Sequence, residues 1–228
     1  MDSANDLLSH YVENGSETAF AEVVNRYLNF VYSIAARRLG SPSHEAIQDV
    51  VQTVFLALAQ KAGQLRKESN LGGWLHRHTC FVTSKHLRAE QQRLKRQRAA
   101  AQDENLKPDS TWSDLSPVID DAIQHLNETD KAAVLMRFFE GIDFRTIGAK
   151  LGVTEGAAQK RVSRATEKLR ELLAGNGIRI SALSLGTLLA VHSLQAAPPE
   201  WASILVGNIR HLHRLVPSAK PPVFRVRP

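Results

Sequence analysis

The stretch GGWLHRHTCFVTSKHLR, residues 72 to 88, sets His76, His78 and the chain's single cysteine, Cys80, at every second position. Imidazole and thiolate are transition-metal ligands, so a metal site is the first chemistry this spacing raises. The segment reads as helix, where successive residues turn by about 100°. His76 and Cys80 then fall close together, while His78 points to nearly the opposite side. Three groups that do not converge cannot share one ion, and tetrahedral zinc asks for four ligands. The expectation is therefore neither metal nor cofactor. The same wheel gathers Leu71, Leu75, His78 and Val82 on one face and predicts His78 in or beside the core.

The neighbouring face carries Trp74, Arg77, Phe81, Ser84, Lys85 and Arg88. Aromatic rings interleaved with cations can stack on unpaired bases while neutralising their phosphates. The plainer alternative buries Trp74 and Phe81 and leaves only the cations wet. A second chemistry-bearing stretch is DFRTIGAKLGVTEGAAQKRVSRATEKLRELL, residues 143 to 173. Its pattern predicts a helix-turn-helix: a short helix with Ile147 and Leu151 inward, Gly152 at the tight turn, Val153 filling the gap, and Thr154 capping a longer helix. Ala158, Val162, Ala165, Leu169 and Leu172 make the inward stripe of that helix. Gln159, Lys160, Ser163, Arg164 and Lys168 face out. Glu155 opens the helix, and the small Gly156 and Ala157 let its N-terminus approach a DNA groove closely.

The elements that position these faces are helical throughout, with no convincing strand alternation. Residues 17 to 39 follow Ser16 as N-cap and carry Phe20, Val23, Val24, Tyr27, Val31 and Ile34 on one stripe up to Gly40. After Ser41-Pro42-Ser43 a second helix presents Ile47, Val50, Val51, Val54, Phe55 and Leu58 and stops near Gly63. A third runs from Gly72-Gly73 towards Ala101. Residues 102 to 114 are polar, hold Pro108 and lack a period, so they read as a linker. Ser116-Pro117 opens the next helix, and Thr129 is placed to cap the one after it. The expected organisation is all-α: a helical domain over residues 1 to 101, the linker, a helix-turn-helix domain over 115 to 175, and an extension over 176 to 228.

Charge follows the same division. The chain holds 29 Lys/Arg against 23 Asp/Glu, a net charge of +6. Residues 61 to 98 alone hold ten bases and two acids, residues 103 to 130 eight acids and one base, and residues 137 to 170 eight bases and four acids. Two basic blocks flanking an acidic one suit a polyanionic partner. A single cysteine excludes an internal disulfide framework, and the acidic, polar start lacks a secretory pattern, so the expected compartment is the cytoplasm. No nucleophile with its base, carboxylate pair or phosphate loop supports an enzyme or a small-molecule substrate.

These motifs resemble the bacterial sigma factors of the sigma-70 family. IQDVVQTVFLAL, residues 47 to 58, is similar to the helix that binds core RNA polymerase, and GGWLHRHTCFVTSKHLR to the helix that recognises and melts the minus-ten element. Residues 126 to 170 are similar to the fourth region, whose helix-turn-helix reads the minus-thirty-five element. The two-domain layout with a short acidic linker resembles the extracytoplasmic-function type. The resemblance implies core contacts at Gln48, Asp49, Gln52 and Thr53, and minus-ten contacts at Trp74, Arg77, Phe81, Lys85 and Arg88. It implies minus-thirty-five contacts at Thr154, Glu155, Gly156, Ala157, Gln159, Lys160, Ser163, Arg164 and Lys168. Core RNA polymerase, promoter DNA and an anti-sigma factor are the implied partners. Thr53 stands where the family commonly has glutamate, and Cys80-Phe81 and Lys85 replace an Arg-Asn pair and an aspartate often found on the melting helix. The competing function is a stand-alone helix-turn-helix regulator that does not bind polymerase.

The extension lies beyond that resemblance. Residues 180 to 191, ISALSLGTLLAV, are apolar but too short to span a bilayer, so the expectation is a helix docked on one of the domains or lying at an interface. The basic, proline-containing residues 210 to 228 are expected to be mobile.

Overall fold

Ser3 begins the first helix with a reciprocal cap, its hydroxyl accepting from Asp6 N while the Asp6 carboxylate accepts from Ser3 N. This computed structural model describes residues 3–40, 44–67, 70–97 and 112–215, and all its regular elements are helical. Helix α1 (Ala4–Asn14) is absent from the sequence-based expectation, because one acidic turn hides the short stripe Leu7, Leu8 and Tyr11 that it buries. Ser16 caps α2 (Glu17–Leu39) as expected, accepting from Ala19 N at 3.3 Å. The helices α3 (His44–Leu65) and α4 (Leu71–Gln97) pack with α1 on its apolar faces. Phe20, Val23, Val24, Val31, Ile34, Val51, Val54, Phe55 and Leu58 are almost completely buried there. Each such side chain contributes about 1.5–3 kcal/mol by leaving water.

Helix α5 (Trp112–Gln124) starts before Ser116, inside the segment read as linker, and carries Pro117 within it. Burial of Leu115 and Ile119 outweighs the backbone donor that proline lacks. Most of the expected linker lies outside the described residues. Helix α6 (Glu128–Val134) is capped by Asn127, which accepts from Asp130 N at 2.9 Å, and not by Thr129, which lies inside the first turn. A π-helical turn (Leu135–Phe139) follows, then α7 (Phe144–Leu151) and α8 (Glu155–Gly175). In the extension, α9 (Ala182–His192) and α10 (Trp201–Leu215) are both formed, so residues 210 to 215 continue a helix where a mobile tail was expected. No helix among the described residues is long and apolar enough to cross a membrane.

One buried apolar cluster runs through both halves of the chain, from Leu8 and Phe55 to Ile119, Phe139 and Leu169, and on to Leu189 and Trp201 in the extension. A smaller cluster of Ala132, Met136, Ile147 and Ala158 holds the helix-turn-helix together. The N-terminal helices and the helix-turn-helix are thus packed on one another.

Candidate nucleic-acid and polymerase interface

The helix-turn-helix is set by local chemistry. Asp143 caps α7, its carboxylate accepting from Thr146 N at 2.9 Å. Gly152 adopts φ 66, a left-handed conformation that lets the chain reverse between the helices. Gly148 must also be small, since a Cβ there would meet Val153 O at 2.8 Å. The Thr154 hydroxyl accepts from Ala157 N at 3.2 Å and starts α8. Thr154, Glu155, Gly156, Ala157, Gln159, Lys160, Ser163, Arg164 and Lys168 are all exposed, while Ala158, Val162, Ala165 and Leu169 are buried. Lys168 is also engaged within the fold: its Nζ lies 2.6 Å from Asp130 Oδ2, and Arg161 Nη1 lies 3.2 Å from Oδ1. Burial alone would raise the Asp130 pKa, but hydrogen bonds from Lys168 and Asn127 and both cationic charges hold it below its ordinary value.

On α4, Trp74 is half-buried against the core and Phe81 is 65% exposed. His78 lies between them, its ring 4.8 Å from Trp74 and 6.2 Å from Phe81, both stacked. His78 is half-buried beside the core, within the helical-wheel expectation, and it also joins the outer aromatic face. Burial and the nearby Lys61 charge lower its pKa. Arg77, Lys85 and Arg88 are exposed beside this ladder. A cleft next to it is lined by Arg77, Phe81, Lys85 and Arg88 on one side and by Asp121 and Gln124 of α5 on the other. Arg77 reaches across the halves to Glu128, Nη1 to Oε2 at 3.3 Å. On α3, Asp49 and Thr53 are exposed and Gln48 and Gln52 half-buried, with the Thr53 hydroxyl donating to Asp49 O at 2.7 Å.

The histidine that is buried is His76, and it enters a charge cluster absent from the sequence-based expectation. Arg37 grips Asp120 with two bonds, Nε to Oδ2 at 3.0 Å and Nη2 to Oδ1 at 3.1 Å, and both side chains are fully buried. Arg37 Nη1 donates to Ser193 O at 2.7 Å, and its guanidinium carbon lies 5.2 Å from the Phe139 ring centre. His76 Nε2 meets Asp120 Oδ1 at 3.1 Å, with the Gln124 carboxamide 3.0 Å and the Cys80 sulfur 4.0 Å from Nδ1. A neutral ring donates from Nε2 and accepts at Nδ1; a protonated ring donates at both, with the Gln124 amide oxygen turned inward. Burial works against charging His76, but Cys80 and Asp120 outweigh it and hold the pKa up at about 9. Burial would likewise raise Asp120, yet the Arg37 charge and the His76 hydrogen bond keep it well below the carboxylate range. The sequence signal for this cluster is an ionisable residue on an apolar stripe: Arg37 follows Phe30 and Ile34 at i+7 and i+3. Among the described residues no group of three or more His, Cys, Asp or Glu could hold a metal ion.

Two exposed cationic helical surfaces, one of them interleaved with rings, have the chemistry to meet a nucleic acid. Residues 23–93 match the family model for sigma-70 region 2, and residues 117–169 that for sigma-70 region 4. The RNA polymerase sigma factor CarQ of Myxococcus xanthus is 28% identical over 162 residues, covering 70% of this chain and 92% of that protein. The ECF RNA polymerase sigma-E factor of Haemophilus influenzae is 28% identical over 171 residues, covering 69% and 89%. A structure of the sigma factor RpoE with the anti-sigma factor NepR from Bartonella quintana aligns at 22% identity over 68% of this chain and 96% of that one, with a TM-score of 0.34. The chain belongs to the sigma-70 family, as a sigma factor of the extracytoplasmic-function type.

Proposed function

We propose that this chain directs transcription initiation in the cytoplasm by binding core RNA polymerase and placing two helices on promoter DNA, without catalysing a reaction of its own. Gln48, Asp49, Gln52 and Thr53 form the core-binding side of α3. Trp74, Phe81, Arg77, Lys85 and Arg88 engage the minus-ten element, the rings stacking on unpaired bases and the cations taking the phosphates. His78 supports both rings from between them. On α8, Gln159, Lys160, Ser163 and Arg164 reach the minus-thirty-five major groove, while the exposed N-terminus of the helix, from Thr154 to Ala157, faces its phosphates.

The observation that carries this reading is the pair of surfaces itself. A ring-and-cation face suits single strands, a capped helix with outward donors suits a duplex, and a promoter being opened presents both. Transcription in vitro with purified core enzyme, the full chain and a genomic template tests it. Discrete start sites that depend on the chain are expected. Duplex binding without any core association would instead assign the chain to the stand-alone regulators.

A further inference from the structure

Residues 176–228 lie outside both matched regions, yet the part described, to Leu215, connects the two halves. Ser193 touches both, its carbonyl accepting from Arg37 and its hydroxyl donating to Phe138 O. Two residues on, Gln195 N donates to Ser33 Oγ at 2.6 Å, and Ala197 N donates to Asn29 Oδ1 at 2.9 Å. The chain then enters α10, where Trp201 sets its ring edge-on to Tyr32 of α2 at 5.5 Å and to His44 of α3 at 6.3 Å, with Leu205 buried behind it. On the other side, α9 lies along the recognition helix, and Leu183, Gly186 and Thr187 share a cleft with Gln159 and Ser163. A duplex engaging those donors would meet α9.

The packed halves are also too close together for a promoter. Arg77 pairs with Glu128, and two residues further along α6 Asp130 pairs with Arg161 of the recognition helix. That chain of contacts keeps the melting and recognition helices within about 30 Å of each other. Elements named minus-ten and minus-thirty-five lie about 25 base pairs apart, or about 85 Å along B-DNA. The halves must separate before both elements are bound. His44, Gln48 and Gln52 recur every four residues on α3, so the seat of α10 begins at the head of the stripe assigned to core polymerase.

We infer that residues 181 to 215 form an autoinhibitory strap, clamping the two DNA-binding halves together until core polymerase takes the α3 face and displaces α10. The inference rests on the sigma-factor reading for its trigger, but the closed state itself is measurable without polymerase. Spin labels on the full chain at Asn25→Cys and Glu171→Cys, one on each half, report the separation by pulsed dipolar spectroscopy, since native Cys80 is buried. A single short distance is expected for the free chain, joined by a long one on adding core enzyme. The double change Ser33→Ala with Asn29→Ala removes the two strap acceptors, together with the bonds the Ser33 hydroxyl donates to Gln195 O and Asn29 O, and should shift the closed-to-open ratio about tenfold. Affinity for a minus-thirty-five duplex without core should rise by the same factor. Trp201→Ala, which unseats α10, should do more, and the hydrogen-bond variant carries the test if Trp201→Ala fails to fold. A free chain that shows only the long distance overturns the strap, as does an opened variant whose duplex affinity is unchanged. Core enzyme that binds neither form refutes the sigma-factor reading and the displacement with it, a failure separable from the distance and duplex results.

Discussion

Replacing Asp120 with Asn keeps the volume of the side chain but removes the charge at the centre of the Arg37–Asp120–His76 cluster. Arg37 would keep its bond to Ser193 O and its place over Phe139, but its charge would be buried without a counterion. Breaking a buried pair from one side costs about 3–5 kcal/mol, because the remaining ion can neither reach water nor find another partner. For a chain of this length each kcal/mol lowers the melting temperature by about 2–4 °C, so Asp120→Asn should melt roughly 6–20 °C lower. The cycle with Arg37→Met separates this cause from ordinary packing loss. The double variant removes both ions, so it should be less destabilised than the sum of the singles, with a coupling of about 1–3 kcal/mol. Thermal denaturation followed by circular dichroism on all four proteins is sufficient. A shift below about 2 °C for Asp120→Asn, or strictly additive singles, would refute the reading of Arg37 and Asp120 as a coupled buried ion pair.

The His76 pKa is raised in the fold from 6.5 to about 9, so its contribution is present in full below pH 6.5 and fades as pH climbs towards 9. That amounts to about 3 kcal/mol, and melting curves at pH 6, 7.5 and 9 should fall in that order for the native chain but not for His76→Gln. Arg164→Ala and Lys160→Ala should each weaken duplex binding and flatten the salt dependence by about one unit of slope, read by fluorescence anisotropy across a salt series. Trp74→Ala with Phe81→Ala should leave duplex binding intact and reduce strand opening, and an unchanged permanganate footprint would contradict it. Asp49→Ala with Gln52→Ala should lower affinity for core enzyme, and a collapse of the melting temperature would show these residues to be structural instead.

Much of the helix-turn-helix is legible in the sequence because its determinants are local. A cap, a left-handed glycine and a stripe at helical spacing all act within a dozen residues, and Gly152, Thr154 and Ala158 stand in the structure as their types predict. Caps fail as signals where two residues compete: Asn127 takes the position over Thr129 because its side chain meets the Asp130 N–H. The helix α5 begins early because burial of Leu115, a tertiary gain, outweighs the local penalty of Pro117.

The aromatic face of α4 is legible as a set of residue types, but not the histidine that joins it. Periodicity places His76 and His78 on opposite sides of one helix without saying which side meets water. The choice is made by a carboxylate 44 positions away in sequence, since Asp120 gives His76 a partner that the Trp74 side does not offer.

Short-range physics, from charge blocks and caps to the period of the apolar residues, thus suffices for an all-helical chain with two cationic faces, because those terms depend on neighbours along the chain. Which faces meet is another matter. The closed arrangement arises from Asp120, Arg37 and Ser193, separated by as many as 156 positions, and a long-range contact of that kind leaves no periodic trace until the chain has folded around it.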